Sequence, residues 1–354
     1  MWQMREVAVV SFGQVPNVRN AGQRNEVEMI MSAVTEAVQR SGIPRKEIGF
    51  TCSGSCDYLQ GAAFAFVMGL DAVGAWPPIS ESHVEMDAAW AVYESWVKIQ
   101  TGQADSALIY GFGKCSMGHF REILTLQLDP YYLMPLWPDS VSLAALQARA
   151  LLESRRFTEE DMAEVAVRSR RNAQQNPNAQ VKGEFDAAEL LTEAYLVSPL
   201  RKHDCPPISD GASALVLAAD DLARRVCKRP AWIRGIDHRI EAHALGVRDL
   251  ARSPSTERAA REVGVGRGPV DLAELHAPFT HQELILCEAL GLDEDAEINP
   301  SGGALAANAF MVAGLTRIGE AANRILDGGA HRAVAHATSG PCLQHNLVCV
   351  LEGE

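Results

Sequence analysis

Hydrophobic positions along this chain follow two rhythms. Three short apolar runs predict buried strands: Val7-Ala8-Val9-Val10-Ser11-Phe12, Ile48-Gly49-Phe50-Thr51-Cys52 and Ala107-Leu108-Ile109-Tyr110-Gly111. Between them the spacing turns helical. Over 25–39, Val27, Ile30, Met31, Val34 and Ala37 make one stripe, and Gly42-Ile43-Pro44 stops it. After the turn Ser53-Gly54-Ser55, an apolar helix is expected over 59–68. A longer helix is expected over 83–100, ending near Gly102. Thr158, as a cap, and Glu160, in the first turn, open another over 158–174. Strands alternating with helices predict an α/β fold with a buried sheet.

Two stretches depart from this rhythm. The first, 129–138, is rich in proline and aromatics (Tyr131, Tyr132, Trp137) and reads as a loop over a cleft. The second is Ile298-Asn299-Pro300-Ser301-Gly302-Gly303, followed by an alanine-rich run expected to be helical over 304–325. Asn-Pro starts a turn, Ser301 can accept from the backbone beyond it, and the glycines permit positive φ or close approach. Glycines feeding a helix N-terminus gather N–H groups at the positive end of its dipole, which suits an anion or a developing oxyanion. Ser301, Gly302 and Gly303 are therefore candidate binding residues, although a tight loop before a packed helix accounts for them equally.

A second α/β run begins near Ser209. Ile99, Gly102, Ala104 and Ala107 match Ile325, Gly328, Ala330 and Ala333, each 226 positions on, and both copies read as helix end, glycine turn, strand. Trp76, Trp90 and Trp96 are assigned to the core.

Composition narrows the function classes. A chain of 354 residues that is 47% hydrophobic can bury a large core. Its net charge of −13 argues against nucleic acid or an anionic membrane surface as partner. The eight cysteines lack the spacing of a small secreted scaffold and no signal peptide is evident, so a reducing cytoplasm is expected. Cys52 and Cys56 have no second pair to complete a zinc site, and no metal is expected. No apolar run reaches the ~18 residues of a membrane span; Asp71 interrupts the best candidate, 61–76.

Three blocks in order carry a resemblance: Pro206-Pro207-Ile208-Ser209-Asp210-Gly211-Ala212, Glu274-Leu275-His276-Ala277-Pro278-Phe279-Thr280 and Asn299-Pro300-Ser301-Gly302-Gly303. With Asn176-Pro177-Asn178-Ala179 and Pro199-Leu200-Arg201, they resemble the thiolase superfamily, in its sterol-carrier-protein-type branch, over nearly the whole chain. The resemblance implies a five-layered αβαβα core of two similar halves. The first half is 1–120, closed by strands near 206–220; a loop domain fills 121–205; the second half is 221–354. It also implies a dimer, of two like chains or with a thiolase-like homologue.

The family's catalytic groups are mostly absent. The nucleophilic cysteine, which needs a helix N-terminus to lower its pKa, aligns with Glu85. The family's Gly-His-Pro aligns with Asn308-Ala309-Phe310, and its glycine-loop cysteine falls near Gly340, two residues from Cys342. His276 alone stays in register. In lacking the nucleophile the chain resembles the steroid side-chain-cleaving aldolase (lipid-transfer-protein) subunits of actinobacteria. That likeness implies cleavage of a β-hydroxyacyl-CoA steroid, with coenzyme A as part of the substrate and no bound cofactor. It also implies a small partner built from an OB fold and a zinc ribbon.

A retro-aldol reaction needs a base on the β-hydroxyl, donors on the thioester oxygen and a proton returned to Cα. His276 is a candidate donor or base, or else a core histidine with one backbone bond. Asn308 is a candidate amide donor, or a residue turned to a carbonyl. Glu85 is a candidate base, or a salt-bridged plug. Cys342 and His345 lie in the loop where related aldolases place a tyrosine, which this chain lacks there. Ser209 and Asp210 read as structural. Two further functions stay open: a non-catalytic scaffold subunit of a heteromeric complex, and an acyltransferase using Cys342 or Cys115.

Overall fold

The computed structural model describes residues 4–354. Its strands are β1 (Val7–Gln14), β2 (Phe50–Gly54), β3 (Glu81–Val84), β4 (Ser106–Lys114), β5 (Tyr195–Val197), β6 (Leu200–Arg201), β7 (Asp210–Ala219), β8 (Ala231–Ile240), β9 (Leu272–Leu275), β10 (Glu297–Ile298), β11 (Arg332–Ser339) and β12 (His345–Glu352). β5 and β6 pair apart; the rest form one sheet, ordered β10-β9-β11-β12-β8-β1-β7-β4-β2-β3. This sheet is one five-stranded unit written twice. Outward from the centre, the first half runs β1-β7-β4-β2-β3 and the second β8-β12-β11-β9-β10. In each, the inner two contacts are antiparallel and the outer two parallel. The halves join through the pairs Ala8↔Trp232 and Val9↔Ala231.

Two helices, Ala88–Gln100 and Ala313–Leu326, fill the space between the halves. Their apolar faces share one cluster with side chains from strands of both halves. The opposite sheet faces are covered by Glu26–Ser41 on the first half and by Pro254–Val263 and Thr280–Leu290 on the second. The result is five layers, helix–sheet–helix–sheet–helix. Strand β7 explains why the apolar runs are unbroken. Leu215 and Leu217 face the central helices, Ala214, Val216 and Ala218 face the outer layer, and all ten of its residues are buried. A strand walled on both faces has no polar alternation.

The repeat read from the sequence is structural. Gly102 and Gly328 each follow a central helix with φ of +72° and +80°, and the left-handed residue lets the chain leave the helix for β4 or β11. On the first outer helix, Asn25 and Glu28 form a capping box and Gly42 sits at the C-cap. Met29 and Ala33 take buried places in the stripe, while Met31 faces solvent.

Four expectations are corrected. The helix over 59–68 is two pieces, Asp57–Gln60 and Phe66–Val73, because Gly61 and Phe64 adopt positive φ. The helix over 83–100 begins only at Ala88; before it, β3 pairs with β2, and Asp87 is the N-cap. The run over 304–325 is also split. Gly303–Ala306 is a short helix, an irregular segment that turns at Met311 follows, and Ala313–Leu326 is the central helix. Trp76 is 87% exposed rather than core, whereas Trp90 is buried.

Strand β7, just after Ser209, lies between β1 and β4 in the first half's sheet. Between the halves lie the helices Phe120–Leu126, Ser140–Glu153 and Glu159–Asn172; Thr158 caps the last, in a capping box with Asp161. Tyr131, Tyr132 and Trp137 face solvent rather than closing over a cleft, with Tyr132 against the His243 ring. Among the described residues, no helix is long and apolar enough to cross a membrane.

Candidate functional site

Strand β9 carries Ala273 and Leu275 to the outer layer, so Glu274 and then His276 turn toward the second central helix. Glu274 is fully enclosed. It accepts from the Ser301 backbone (2.8 Å), the Ser301 hydroxyl (2.7 Å) and Arg317 Nη1 (2.9 Å); Arg317 Nη1 also donates to Ser301 Oγ (2.6 Å). Burial raises the Glu274 carboxyl to about 7 while Arg317 pulls it back.

This network changes the reading of the Asn-Pro-Ser-Gly-Gly loop. Gly302 does cap a helix, with φ of +96°, but the loop's donors are already used. Ser301 N–H goes to Glu274, Gly302 N–H to the Asn299 carbonyl and Gly303 N–H to Ser301 Oγ. Asn299 in turn holds the Leu275 N–H (2.7 Å) and donates to Glu283. Ser301, Gly302 and Gly303 thus knit β9 to the central helix and present no free N–H to an anion.

His276 is buried. Its Nδ1 accepts from the Thr338 backbone N–H (3.4 Å), which assigns the ring proton to Nε2, and Nε2–H donates to Asn308 Oδ1 (3.2 Å). Burial, and then the charge of Arg317, push the imidazole down to about 4, so it is neutral at pH 7. The Asn308 backbone N–H donates to Ser209 Oγ (3.0 Å), which fixes the amide. With Oδ1 taken, Asn308 Nδ2 is a donor with no protein partner among the described residues. Asp210, beside Ser209, accepts from Ser116 and the Ala21 N–H, the structural role its motif suggests.

The other candidates lie apart from this pair. Glu85 is exposed and accepts the Asp57 N–H (2.6 Å); partial burial raises its pKa and that N–H lowers it. It forms no salt bridge with Lys or Arg among the described residues, so it is not the salt-bridged plug weighed above. Cys342 is buried, donates to the Leu143 carbonyl (3.3 Å) and is pushed up to about 12 by burial. His345 faces the first central helix, where Nε2 accepts from Trp90 Nε1 (3.2 Å) and lies 3.1 Å from His238 Nδ1; burial pushes it down to about 4. Neither side chain meets His276. Cys115 accepts the Phe310 N–H (3.3 Å) and packs beside Cys56 and Met311, and burial raises it to about 12.

All eight cysteine thiols are shifted upward, with burial the largest cause in each case. The N-termini of both central helices are already capped. Asp87 Oδ1 accepts from Ala89 N–H (2.9 Å) and Leu315 N–H (3.0 Å), and Oδ2 from Gly314 N–H (2.9 Å), so one carboxylate caps both central helices. Sequence reasoning missed this residue, although an Asp directly before an apolar helical run is an N-cap signal. It also missed Thr338, whose contribution is a backbone group. Arg317 could have been flagged as a lone charge between apolar neighbours.

No protein-family model matches the chain. It is 29% identical over 229 residues to an acetyl-CoA acetyltransferase of Methanothermobacter thermautotrophicus, a stretch covering 58% of this chain and 59% of that protein. The corresponding enzyme of Methanocaldococcus jannaschii is 25% identical over 90% of this chain and 89% of its own length. Sterol carrier protein 2 of Gallus gallus is 24% identical over 94% of this chain and 69% of its length. Among solved structures, the "Ltp2-ChsH2(DUF35) aldolase" superposes with a TM-score of 0.82 at 20% identity, covering 98% of this chain and 97% of the other. The acetyl-CoA acetyltransferase of Bacillus anthracis gives 0.78 at 17% identity, covering all of both chains. With a five-stranded unit repeated about two central helices, the chain has the thiolase fold, and its sequence is similar to thiolases along most of its length.

Proposed function

We propose that this chain is a thiolase-fold acyl-CoA carbon–carbon lyase subunit, a retro-aldolase that works without a covalent cysteine intermediate. The observation that supports this most is the joint state of the thiols and the histidine. Every cysteine is held protonated, while neutral His276 donates to Asn308 Oδ1 and leaves the amide's Nδ2–H without a protein partner among the described residues. A neutral donor oriented in this way in a buried setting suits a thioester oxygen that becomes an enolate oxygen.

In the step we propose, a base removes the β-hydroxyl proton and the oxygen's electron pair forms the ketone. The Cα–Cβ bond breaks, and its electrons enter the thioester as an enolate held by Asn308 Nδ2–H, whose amide His276 Nε2–H orients through Oδ1. Cα then takes up a proton, releasing a shorter acyl-CoA. Glu85, with its raised carboxyl, is the base candidate we favour; Cys342 and His345 are engaged elsewhere. A bulky, steroid-like acyl group is the substrate we favour, and coenzyme A enters only as part of it. One solved structural neighbour is an aldolase that includes a DUF35 component. We extend this to a small OB-fold partner here, and to pairing with a second thiolase-like chain.

One observation favours a second reading, a catalytically silent subunit that completes a complex. The loop donors that could hold an anion are all used internally, and the hairpin over 339–344 carries no tyrosine. His276→Ala, assayed for CoA products in the purified complex with β-hydroxyacyl-CoA steroids, separates the two. A fall of about 10²-fold or more in turnover is expected once the Asn308 oxyanion donor loses the bond that orients it. Unchanged turnover in a folded variant would put the chemistry in another chain.

A further inference from the structure

Asp87 does more than start a helix. The helix Ala313–Leu326 has no side-chain cap of its own, because Val312 occupies its N-cap. Asp87 from the other half reaches across and accepts Gly314 N–H and Leu315 N–H while keeping Ala89 N–H. Position 314 has to be glycine for this: a Cβ there would lie 2.7 Å from Asp87 Oδ1 and 2.5 Å from the Ala337 Cβ. The next residue continues the grip, since Ala88 N–H donates to the Met311 carbonyl (2.9 Å). From its other side, the same segment is held by Phe310 N–H on Cys115 Sγ and Asn308 N–H on Ser209 Oγ.

The segment 308–315 is thus fixed at both ends, and the amide it presents is the one bonded to His276. Arg317, one turn along, carries a charge felt by both Asp87 and His276. We propose that Asp87 is the positioning residue of this site. It locks the two halves in register, fills the anion position shared by the central helices, and so holds Asn308 against the Nε2–H tautomer of His276. It touches no substrate, and the assignment rests on the lyase reading only for its effect on turnover.

The effect on the imidazole is measurable without any substrate. In histidine labelled with ¹⁵N, wild-type His276 should show the neutral Nε2–H form throughout pH 5–8. Asp87→Asn turns an amide N–H toward the helix donors. It should move the His276 signals away from that pattern, toward a mixture of tautomers. Gly314→Ala perturbs the same carboxylate from the opposite side and should do likewise, and it serves as the test if Asp87→Asn does not fold. Ile318→Val, a core truncation in the same helix, controls for general loosening. Signals in Asp87→Asn and Gly314→Ala that move no further than in Ile318→Val would overturn the proposal, whatever the activity. With an active complex in hand, Asp87→Asn should lower kcat at least tenfold with KM changed less than threefold. An inactive wild type alongside shifted His276 signals would count against the lyase reading and leave Asp87's role standing.

Discussion

Replacing Arg317 with leucine strips the buried Glu274 of its cation, and the consequence depends on pH. In the native protein Arg317 lies 2.9 Å from Glu274, with both side chains almost fully enclosed. Removing one member of such a pair costs about 3–5 kcal/mol, because the remaining charge has no solvent to return to. Glu274 is already raised to about 7 by burial, and losing Arg317 raises it further. The sign follows. A carboxyl whose folded pKa lies above its unfolded value near 4.5 costs nothing extra below pH 4.5, where both states are protonated. It destabilises progressively as pH rises toward the folded value, by up to about 1.4 kcal/mol per pH unit. Because the native carboxyl at about 7 already carries this slope between pH 4.5 and 7, the penalty of Arg317→Leu should change little from pH 5 to 6 and widen above pH 7, by up to about 1.4 kcal/mol per pH unit. Urea unfolding of both proteins at pH 5, 6, 7, 8 and 9 reads it as a gap between midpoints that opens above pH 7. Glu274→Gln in the Arg317→Leu background should flatten this rise and recover much of the loss at pH 9. A penalty that is constant with pH, or not relieved by Glu274→Gln, would refute the view that this ion pair holds the Asn-Pro-Ser-Gly-Gly loop.

Three other outcomes test the site. Iodoacetamide should label the native chain slowly at pH 8 and rapidly after denaturation, since all eight thiols are pushed upward; one fast-labelling native cysteine, with loss of activity, would revive acyl transfer. If Glu85 is the base, turnover should fall as pH drops through a value above the ordinary 4.5, because burial raises its carboxyl, and Glu85→Gln should abolish that limb. A limb unchanged in Glu85→Gln would assign the base elsewhere. Light scattering should report at least a dimer, since β3 and β10 leave both ends of the sheet open; a stable monomer, alone and with its partners, would oppose that.

Much of the fold was legible because it rests on local rules. Buried strands announce themselves as unbroken apolar runs, and the capping box of Asn25 and Glu28 and the stop at Gly42 are written in adjacent residues. The matching glycine turns at 102 and 328 exposed the duplication. His276 was also found from its motif, and the structure does place it against Asn308. Where sequence reasoning failed, a distant contact had overruled a local pattern. The alanine-rich run after Gly303 has helical propensity throughout, yet 307–312 leaves the helix and turns at Met311, held by bonds to Ser209, Cys115 and Ala88. Residues 81–84 look helical in isolation but gain a strand partner in β2.

The sequence by itself determined the alternation of strands and helices and pointed to the repeat, because periodicity and residue type are properties of the chain alone; the layer order and the missing nucleophile were what its resemblance to the thiolase superfamily implied. Only the tertiary structure decided the electrostatics. The Ser-Gly-Gly loop turned from a binding site into a knot because Glu274 consumes its donors, and His276 became a neutral donor because burial and Arg317 together expel its second proton. One aspartate came to serve two helices that start at Ala88 and Ala313 because folding brings their N-termini to the same carboxylate. Charge state is set by what surrounds a group, and in this protein those surroundings are assembled from segments distant in the chain.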